Sequence, residues 1–423
     1  MAYRLTLEQL FADLHQAFYD ARRHKRSKPY QQHFERDAER LLWQLSLELW
    51  NRTYRPGPST CFIITDPKRR EVFAAQFRDR IVHHLYYNYV HEMLERTFID
   101  DSYSCIRRRG THYGIARLEH HIRKESQNYR EACYVLKMDI RGYFMHIDRQ
   151  RLLGITLRQL RRMASHSVGV RASEPAIRNR CHDADGGIGV PPSYGMHWRD
   201  VVDMEFVAWL SEVIISQDPT AGCHRQGSLL GWQGLARDKS LFHSPAGCGL
   251  PIGNLTSQLF SNVYLNELDQ YMKRTLHCRH YGRYVDDFYV ASADRDWLLS
   301  LRSPIAAFLR ESLGLDVNTG KTRICDVQRG VEFLGAFLKP RRRYVSNGTL
   351  SRMEAKVRAM DDGMPPEQLC SRLNSMLGLL SHYRCYHLRR GLFMPLAFAW
   401  CQGYFLQGMR KYVLKDIKKS LKC

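Results

Sequence analysis

The sequence predicts an α+β protein, and three observations carry this. Segments with apolar residues at helix spacing occupy residues 5–21, 32–52 and the chain from Leu350 onward. Short runs rich in β-branched and aromatic residues, such as TCFIIT and EACYVLKMDI, lie between them. Strands and helices do not alternate in strict βαβ order, which sets the chain apart from parallel α/β folds. Its 423 residues, 44% of them hydrophobic, suffice for one large or roughly two to three ordinary globular domains.

Taken in order, the first two helices are joined by the basic run ARRHKRSKP, and YRPGPS (54–59) is a turn-rich break. TCFIIT reads as a strand. The segment that follows begins with Pro67 in a turn and becomes helical in its later part. EACYVLKMDI is a strand by composition, with Tyr134, Leu136, Met138 and Ile140 expected on the core face and Val135, Lys137 and Asp139 on the other. LTSQLFSNVYLNELDQYMKRTL is a long helix that Asn254 or Thr256 would cap. Residues 295–313 form another helix, and GVEFLGAFL and RRRYVSNG form two strands of a hairpin. The helical remainder is broken at DDGMPPEQ, and MRKYVLKDIKKSLK ends it as a basic amphipathic helix. Residues 152–247, with Gly/Pro-rich pieces such as DADGGIGVPPSYGMHW, are expected to be irregular or an insertion.

Lys and Arg outnumber Asp and Glu by 64 to 43, a net charge of +21. That excess points to a polyanion partner, nucleic acid before a membrane surface. The N-terminal MAYRLTLEQLFADL is an amphipathic helix carrying charges, unlike a signal peptide, and no window approaches 18 uninterrupted apolar residues. Twelve cysteines without CxxC pairs fit a reduced, cytoplasmic protein. Cys181-His182, Cys223-His224 and Cys278-x-His280 are an alternative zinc set, but their spacing is irregular.

The chemistry concentrates in RHYGRYVDDFYVAS, where Asp286 and Asp287 interrupt an otherwise apolar hairpin. Asp-Asp suits a turn, yet the apolar flanks would carry the pair to a sheet edge. Asp139 ends a second apolar strand. Carboxylates gathered in this way ionise together only beside cations, and Mg²⁺ prefers carboxylate and phosphate oxygens. Two such ions about 4 Å apart clamp the attacking and leaving oxygens of a phosphoryl transfer.

At this level the residues resemble a family. YVDDF (284–288) resembles the YxDD signature of reverse transcriptases, and KMDIRGYF (137–144) their first palm motif. GLPIGNLTSQLFSNVYLNELD is similar to the glycine turn and helix of the same palm. DPKRREVFAAQFRDRIVHH resembles a fingers segment, FIDDSYSCIRRRGTHYGIARL the SYG-type motif after it, and LGLDVNTGKTRI and GVEFLGAFL the later palm motif and primer grip. The six motifs follow the family order over most of residues 55–345.

The resemblance implies a right-hand polymerase with fingers, a palm of antiparallel sheet packed on helices, and a helical thumb. Residues 1–54 would be an N-terminal helical segment, 55–130 fingers, 131–345 palm with an insertion at about 152–247, and 346–423 thumb and basic tail. It implies RNA-directed DNA polymerase activity with two Mg²⁺ ions, or Mn²⁺, at Asp139, Asp286 and Asp287, with Ile140 a further metal-site residue and Lys321 a general acid near the leaving pyrophosphate. Lys68 and Arg70 would hold the triphosphate, Phe144 would block a ribose 2′-OH, and Gly253, Ser257 and Gln258 would line the nucleotide site.

Arg80, Arg107, Arg108, Arg109, Arg341, Arg342, Arg343, Arg384, Arg389 and Arg390 would contact nucleic acid, and Phe333, Leu334 and Gly335 would form the primer grip. Ile252 stands where the retroviral pattern has glutamine, so a polar contact is missing and reduced fidelity is expected. The IGNLTSQ form resembles bacterial enzymes of anti-phage defence and of diversity-generating retroelements. The implied partners are an RNA template, in particular a dedicated non-coding RNA, the DNA product, dNTPs and an accessory protein or homo-oligomer, with no membrane. A non-catalytic nucleic-acid-binding scaffold and template-independent terminal transfer are the competing readings.

Overall fold

The computed structural model describes residues 4–415 apart from 24, 26, 67 and 167–201. The chain forms two compact units, each assembled from separated segments.

The first unit comprises Met1–Asp100, Ile140–Tyr271 and Ala306–Asp316. Its opening helix, Leu7–Arg22, is capped by Thr6, whose hydroxyl accepts from the Gln9 amide at 3.2 Å. The helix buries Leu10, Leu14, Ala17, Phe18 and Ala21, one stripe at i, i+4 and i+7 spacing, against the helices Ala38–Trp50 and Phe77–Glu95. The YRPGPS break is held by the buried Asp79, which accepts from the Tyr54 hydroxyl at 2.8 Å and the Gly57 amide at 3.0 Å.

Strand Thr60–Ile64 pairs antiparallel with Arg70–Ala74 and parallel with the short His224–Arg225. Glu71, buried on the strand Arg70–Ala74, is satisfied by hydrogen bonds: it accepts from the Leu241 amide at 2.7 Å and the Ser240 hydroxyl at 3.0 Å. Helix Leu255–Gln270 is buried on almost every side, and its buried residues include the polar Asn262, Asn266 and Asp269.

Residues 152–247 differ from the expectation of irregular structure. Arg149–His166 and Met204–Ser216 are helices that pack on one another, because each carries an apolar stripe among its charges. The Gly/Pro-rich stretch 167–201 lies outside the described residues, as do Pro67, Cys181, His182 and residues 416–423.

Before helix Leu255–Gln270, the Ile252 carbonyl accepts from the Phe73 amide at 2.8 Å, drawing the turn onto the strand Arg70–Ala74. Gly253 sits there at φ +123°, where a Cβ would stand 2.9 Å from the Phe73 carbonyl oxygen. Both the conformation and the contact demand glycine. Gly253→Ala is expected to cost about 1–3 kcal/mol, read as a fall in the denaturant midpoint.

The second unit comprises Asp101–Asp139, Met272–Ile305 and Val317–Cys423. Its main sheet has the order Tyr281–Tyr284, Asp287–Ser292, Tyr134–Asp139, Arg323–Asp326, every neighbour antiparallel. The sheet packs on the helix Thr111–Glu125 and, through a shared core of Val135, Tyr289, Phe333, Leu373, Leu377 and Tyr412, on the elements after residue 330.

Here too the structure corrects the sequence reading. Val135 is fully buried beside Leu136, because Tyr134–Asp139 is a central strand covered on both faces; Lys137 and Asp139 are only slightly exposed, and Tyr134, expected on the core face, is itself not fully buried. GVEFLGAFL is itself a hairpin, Val331–Phe333 and Ala336–Lys339, turned through Leu334 at φ +49° and Gly335 at φ +82°. Arg342–Val345 is its third strand. Residues 295–313 make two helices, Arg295–Ser300 and Arg302–Leu313, with Pro304, which has no amide proton, in the first turn of the second.

The described part of the tail is not helical. Gly403–Leu406 and Lys411–Leu414 pair as a hairpin around Gln407, Gly408 and Met409, all at positive φ, and Tyr412 buries its ring on the helical elements. Among the described residues no helix is long and apolar enough to cross a membrane.

Candidate active site

The second unit brings the catalytic candidates of the sequence to one end of its main sheet. Asp139 ends its strand directly opposite Asp287, the first residue of the neighbouring strand. Asp286 lies in the two-residue turn between Tyr284 and Asp287. The other turn residue, Val285, has φ +54°. A β-branched side chain is an outlier in that region, so the surroundings must hold it there.

Burial, reinforced by the charges of Asp139 and Asp287, pushes the Asp286 carboxyl up to about 6. Asp287 is also raised, by burial first, against the opposing charge of Lys137. The Lys137 ammonium stands 3.9 Å from Asp287 and over the Phe333 ring.

Asp139 is paired closely. Lys321 Nζ lies 2.9 and 2.8 Å from its two oxygens, and the Asn318 side-chain amide donates to Oδ1 at 3.0 Å. The Asn318 main-chain amide holds the Asp139 carbonyl at 2.7 Å. Partial burial pulls the Lys321 ammonium down, but the hydrogen bond and charge of Asp139 outweigh it and the net shift is upward. Lys321 is therefore a charged cation seated on a carboxylate, with 59% of its side chain exposed.

Two of these contacts were missed in the sequence. Lys137 was placed on the open face with Asp139 but given no role. Asn318 stands three residues before Lys321 in the same motif, a proximity that would have marked it.

The other predicted residues lie as follows. In the first unit, Lys68 and Arg70 are exposed at the tip of the hairpin Thr60–Ala74, and Gln258 is exposed. Ser257 is 3% exposed and faces the interior of its helix packing, not a surface where it could meet a nucleotide. Phe144 is half-buried against Cys61, Phe73, Met145 and Leu241, and Ile140 is buried. Arg80 is engaged locally, donating to the Ala75 carbonyl at 2.8 Å and the Tyr30 hydroxyl at 3.0 Å.

In the second unit, Arg107, Arg108, Arg341, Arg342, Arg384 and Arg390 are exposed. Arg109 donates to the Ser102 carbonyl at 3.1 Å, and Arg343 pairs with Glu119. Arg389 is 3% exposed: in the helix Tyr386–Phe393 it falls four residues before the buried Phe393, on the inward stripe, and so not on the surface that nucleic-acid contact requires. Phe333 is fully buried, leaving Leu334 and Gly335 as the half-exposed turn.

Residues 220–338 match the model of the reverse transcriptase (RNA-dependent DNA polymerase) family, a span that contains Asp286, Asp287 and Lys321 but not Asp139. Similar solved structures include a Candida albicans telomerase in complex with a fragment of telomeric RNA, 11% identical, with a TM-score of 0.45 over 84% of this chain and 64% of that one. Another is apo telomerase from Candida tropicalis, 11% identical, with a TM-score of 0.47 over 81% of this chain and 59% of that one. The chain thus spans under two thirds of the telomerase chains it resembles. No curated protein matches it in sequence. Over residues 220–338 the chain is similar to reverse transcriptase domains, and its elements make an α+β fold.

Proposed function

We propose that the protein is an RNA-directed DNA polymerase whose catalytic carboxylates are Asp139, Asp286 and Asp287. The observation that carries this reading is the cross-strand pairing of Asp139 with Asp287, beside the Asp286 turn, at the edge of a reverse transcriptase domain.

Divalent cations suit the donor set, which is all carboxylate oxygen and therefore hard. Burial first, then the charges of Asp139 and Asp287, raises the Asp286 carboxyl, so a cation beside it would favour the ionised form. Among the described residues no three such side chains stand in ligand geometry, and Lys321 sits on both oxygens of Asp139. Asp139 and Asp286 would hold the ions once Lys321 moves away, with Asp287 the less direct member. When bound, two ions supply Lewis-acid stabilisation of the attacking and leaving oxygens.

The chain's own part is to orient a primer 3′-hydroxyl for attack on the α-phosphate of a dNTP, with pyrophosphate leaving. Lys321, once off Asp139, would donate a proton to that leaving group. The test is incorporation of labelled dNTP on an RNA template with a DNA primer. Wild-type protein extends the primer, and Asp139→Ala does not; full activity in Asp139→Ala overturns the assignment.

Phe144 serves as the 2′-OH gate. Phe144→Ala is expected to raise rNTP incorporation relative to dNTP by about tenfold to 100-fold, measured as the ratio of kcat/KM values. The biological setting we propose is anti-phage defence with a dedicated non-coding RNA, supported by the likeness of IGNLTSQ and its preceding segment to defence-associated enzymes. Sequencing RNA co-purified with the protein decides it: one abundant structured RNA supports defence, and a template repeat adjoining a variable gene supports a retroelement.

A further inference from the structure

Arg283 is the largest fully buried side chain of the described residues. An arginine in a core without a task is costly, because its donors leave water. It lies on the strand Tyr281–Tyr284, three positions before Asp286, and its guanidinium spans two elements. Nη1 donates to the Val285 carbonyl at 3.1 Å, and Nη2 donates to the Ser102 hydroxyl at 3.2 Å. The backbone is fixed by the same neighbour: the Arg283 amide donates to the Asp101 carbonyl at 2.8 Å, and its carbonyl accepts from the Tyr103 amide at 2.9 Å.

The Val285 carbonyl belongs to the peptide that joins Val285 to Asp286. In a two-residue hairpin turn that peptide is the one free to flip, exchanging one turn type for another and turning the next residue. Val285 already occupies a left-handed conformation that a β-branched residue avoids. Without a restraint on its carbonyl, that peptide could flip while Val285 kept its positive φ.

We propose that Arg283 is a positioning residue that clamps the Val285–Asp286 peptide and so fixes the direction in which Asp286 presents its carboxylate. The clamp is anchored on the strip Asp101–Tyr103, which bridges to Arg283 in parallel. The positioning role rests on the polymerase reading above, while the clamp itself does not.

Two measurements on the full chain separate them. Arg283→Met fills most of the volume without donors, and Arg283→Gln restores one donor group. In primer extension, Arg283→Met is expected to lower kcat by about tenfold to 100-fold with little change in the dNTP KM, and Arg283→Gln to recover part of the loss. In hydrogen exchange followed by mass spectrometry, peptides covering residues 284–289 are expected to exchange about tenfold faster in Arg283→Met, with residues 331–345 unchanged.

Equal kcat loss in both variants, or a rise in KM with kcat intact, overturns the positioning role. Unchanged exchange at 284–289 overturns the clamp. If wild-type protein extends no primer, the polymerase reading fails, and the exchange experiment still decides the clamp. Should Arg283→Met not fold, Arg283→Lys, which keeps the charge and loses the planar fork, takes its place in the exchange comparison; wild-type exchange rates there overturn the clamp.

Discussion

Asp286→Asn is expected to reduce primer extension by at least about 10³-fold in kcat while making the metal-free protein more stable at pH 7.5. The first effect follows, on the function proposed above, from losing an anionic ligand for the divalent cations. The second follows from the raised carboxyl. In the folded protein Asp286 titrates at about 6, against an ordinary value of 3.8, so the folded state holds its proton more tightly than the unfolded chain. The stability linked to that proton is complete below the ordinary value and is lost as pH rises through about 6.

At pH 7.5 the buried carboxylate therefore costs stability that asparagine does not. Differential scanning calorimetry without divalent ions should show the variant melting about 1–3 °C above wild type, with a smaller gap at pH 5. Adding Mg²⁺ should raise the wild-type midpoint and leave the variant nearly unchanged. A variant that melts below wild type at pH 7.5 would show that Asp286 is compensated by something other than a cation.

The second large effect is on stability. Phe333→Ala should cost about 3–5 kcal/mol in chemical denaturation, the usual penalty for emptying a buried aromatic site. Phe333 is fully buried, meets Tyr289 edge-to-face with ring centroids 5.1 Å apart, and lies under the Lys137 ammonium. Its loss would open a void behind the strand that begins at Asp287. Replacing Leu334, which is half-exposed in the adjacent turn, should cost little stability. A primer-binding defect at wild-type stability in Phe333→Ala would contradict this core role.

Much of the Asp286–Asp287 hairpin was legible in the sequence because its signals are local. Two aspartates between Tyr-Val and Phe-Tyr-Val announce a turn with apolar strands on either side. Glycine between Ile252 and Asn254 marks a backbone position that no side chain can occupy, and the contact with Phe73 supplies the reason. The amphipathic stripe of Leu7–Arg22 needed only its own spacing.

The misreadings share a cause. Val135 was assigned to the open face because a lone strand has one, whereas a central strand has two covered faces. Tyr412 sits in a run that reads as a helix by charge spacing, yet its ring is taken into a core built from elements far from it in sequence. Arg389 looked like surface charge for want of its helix's orientation.

The sequence by itself determined the chemistry available: three carboxylates, an excess of cations, and the turns and periodicities that shape each element. These are consequences of neighbours along the chain. Only the tertiary structure decided which of them meet. Antiparallel register set Asp139 against Asp287, a loop 182 positions further on delivered Lys321 to the Asp139 carboxylate, and Arg283 was drawn inside to hold a strained turn. Pairing of this kind depends on burial and on long-range closure, neither of which leaves a local trace in the order of residues.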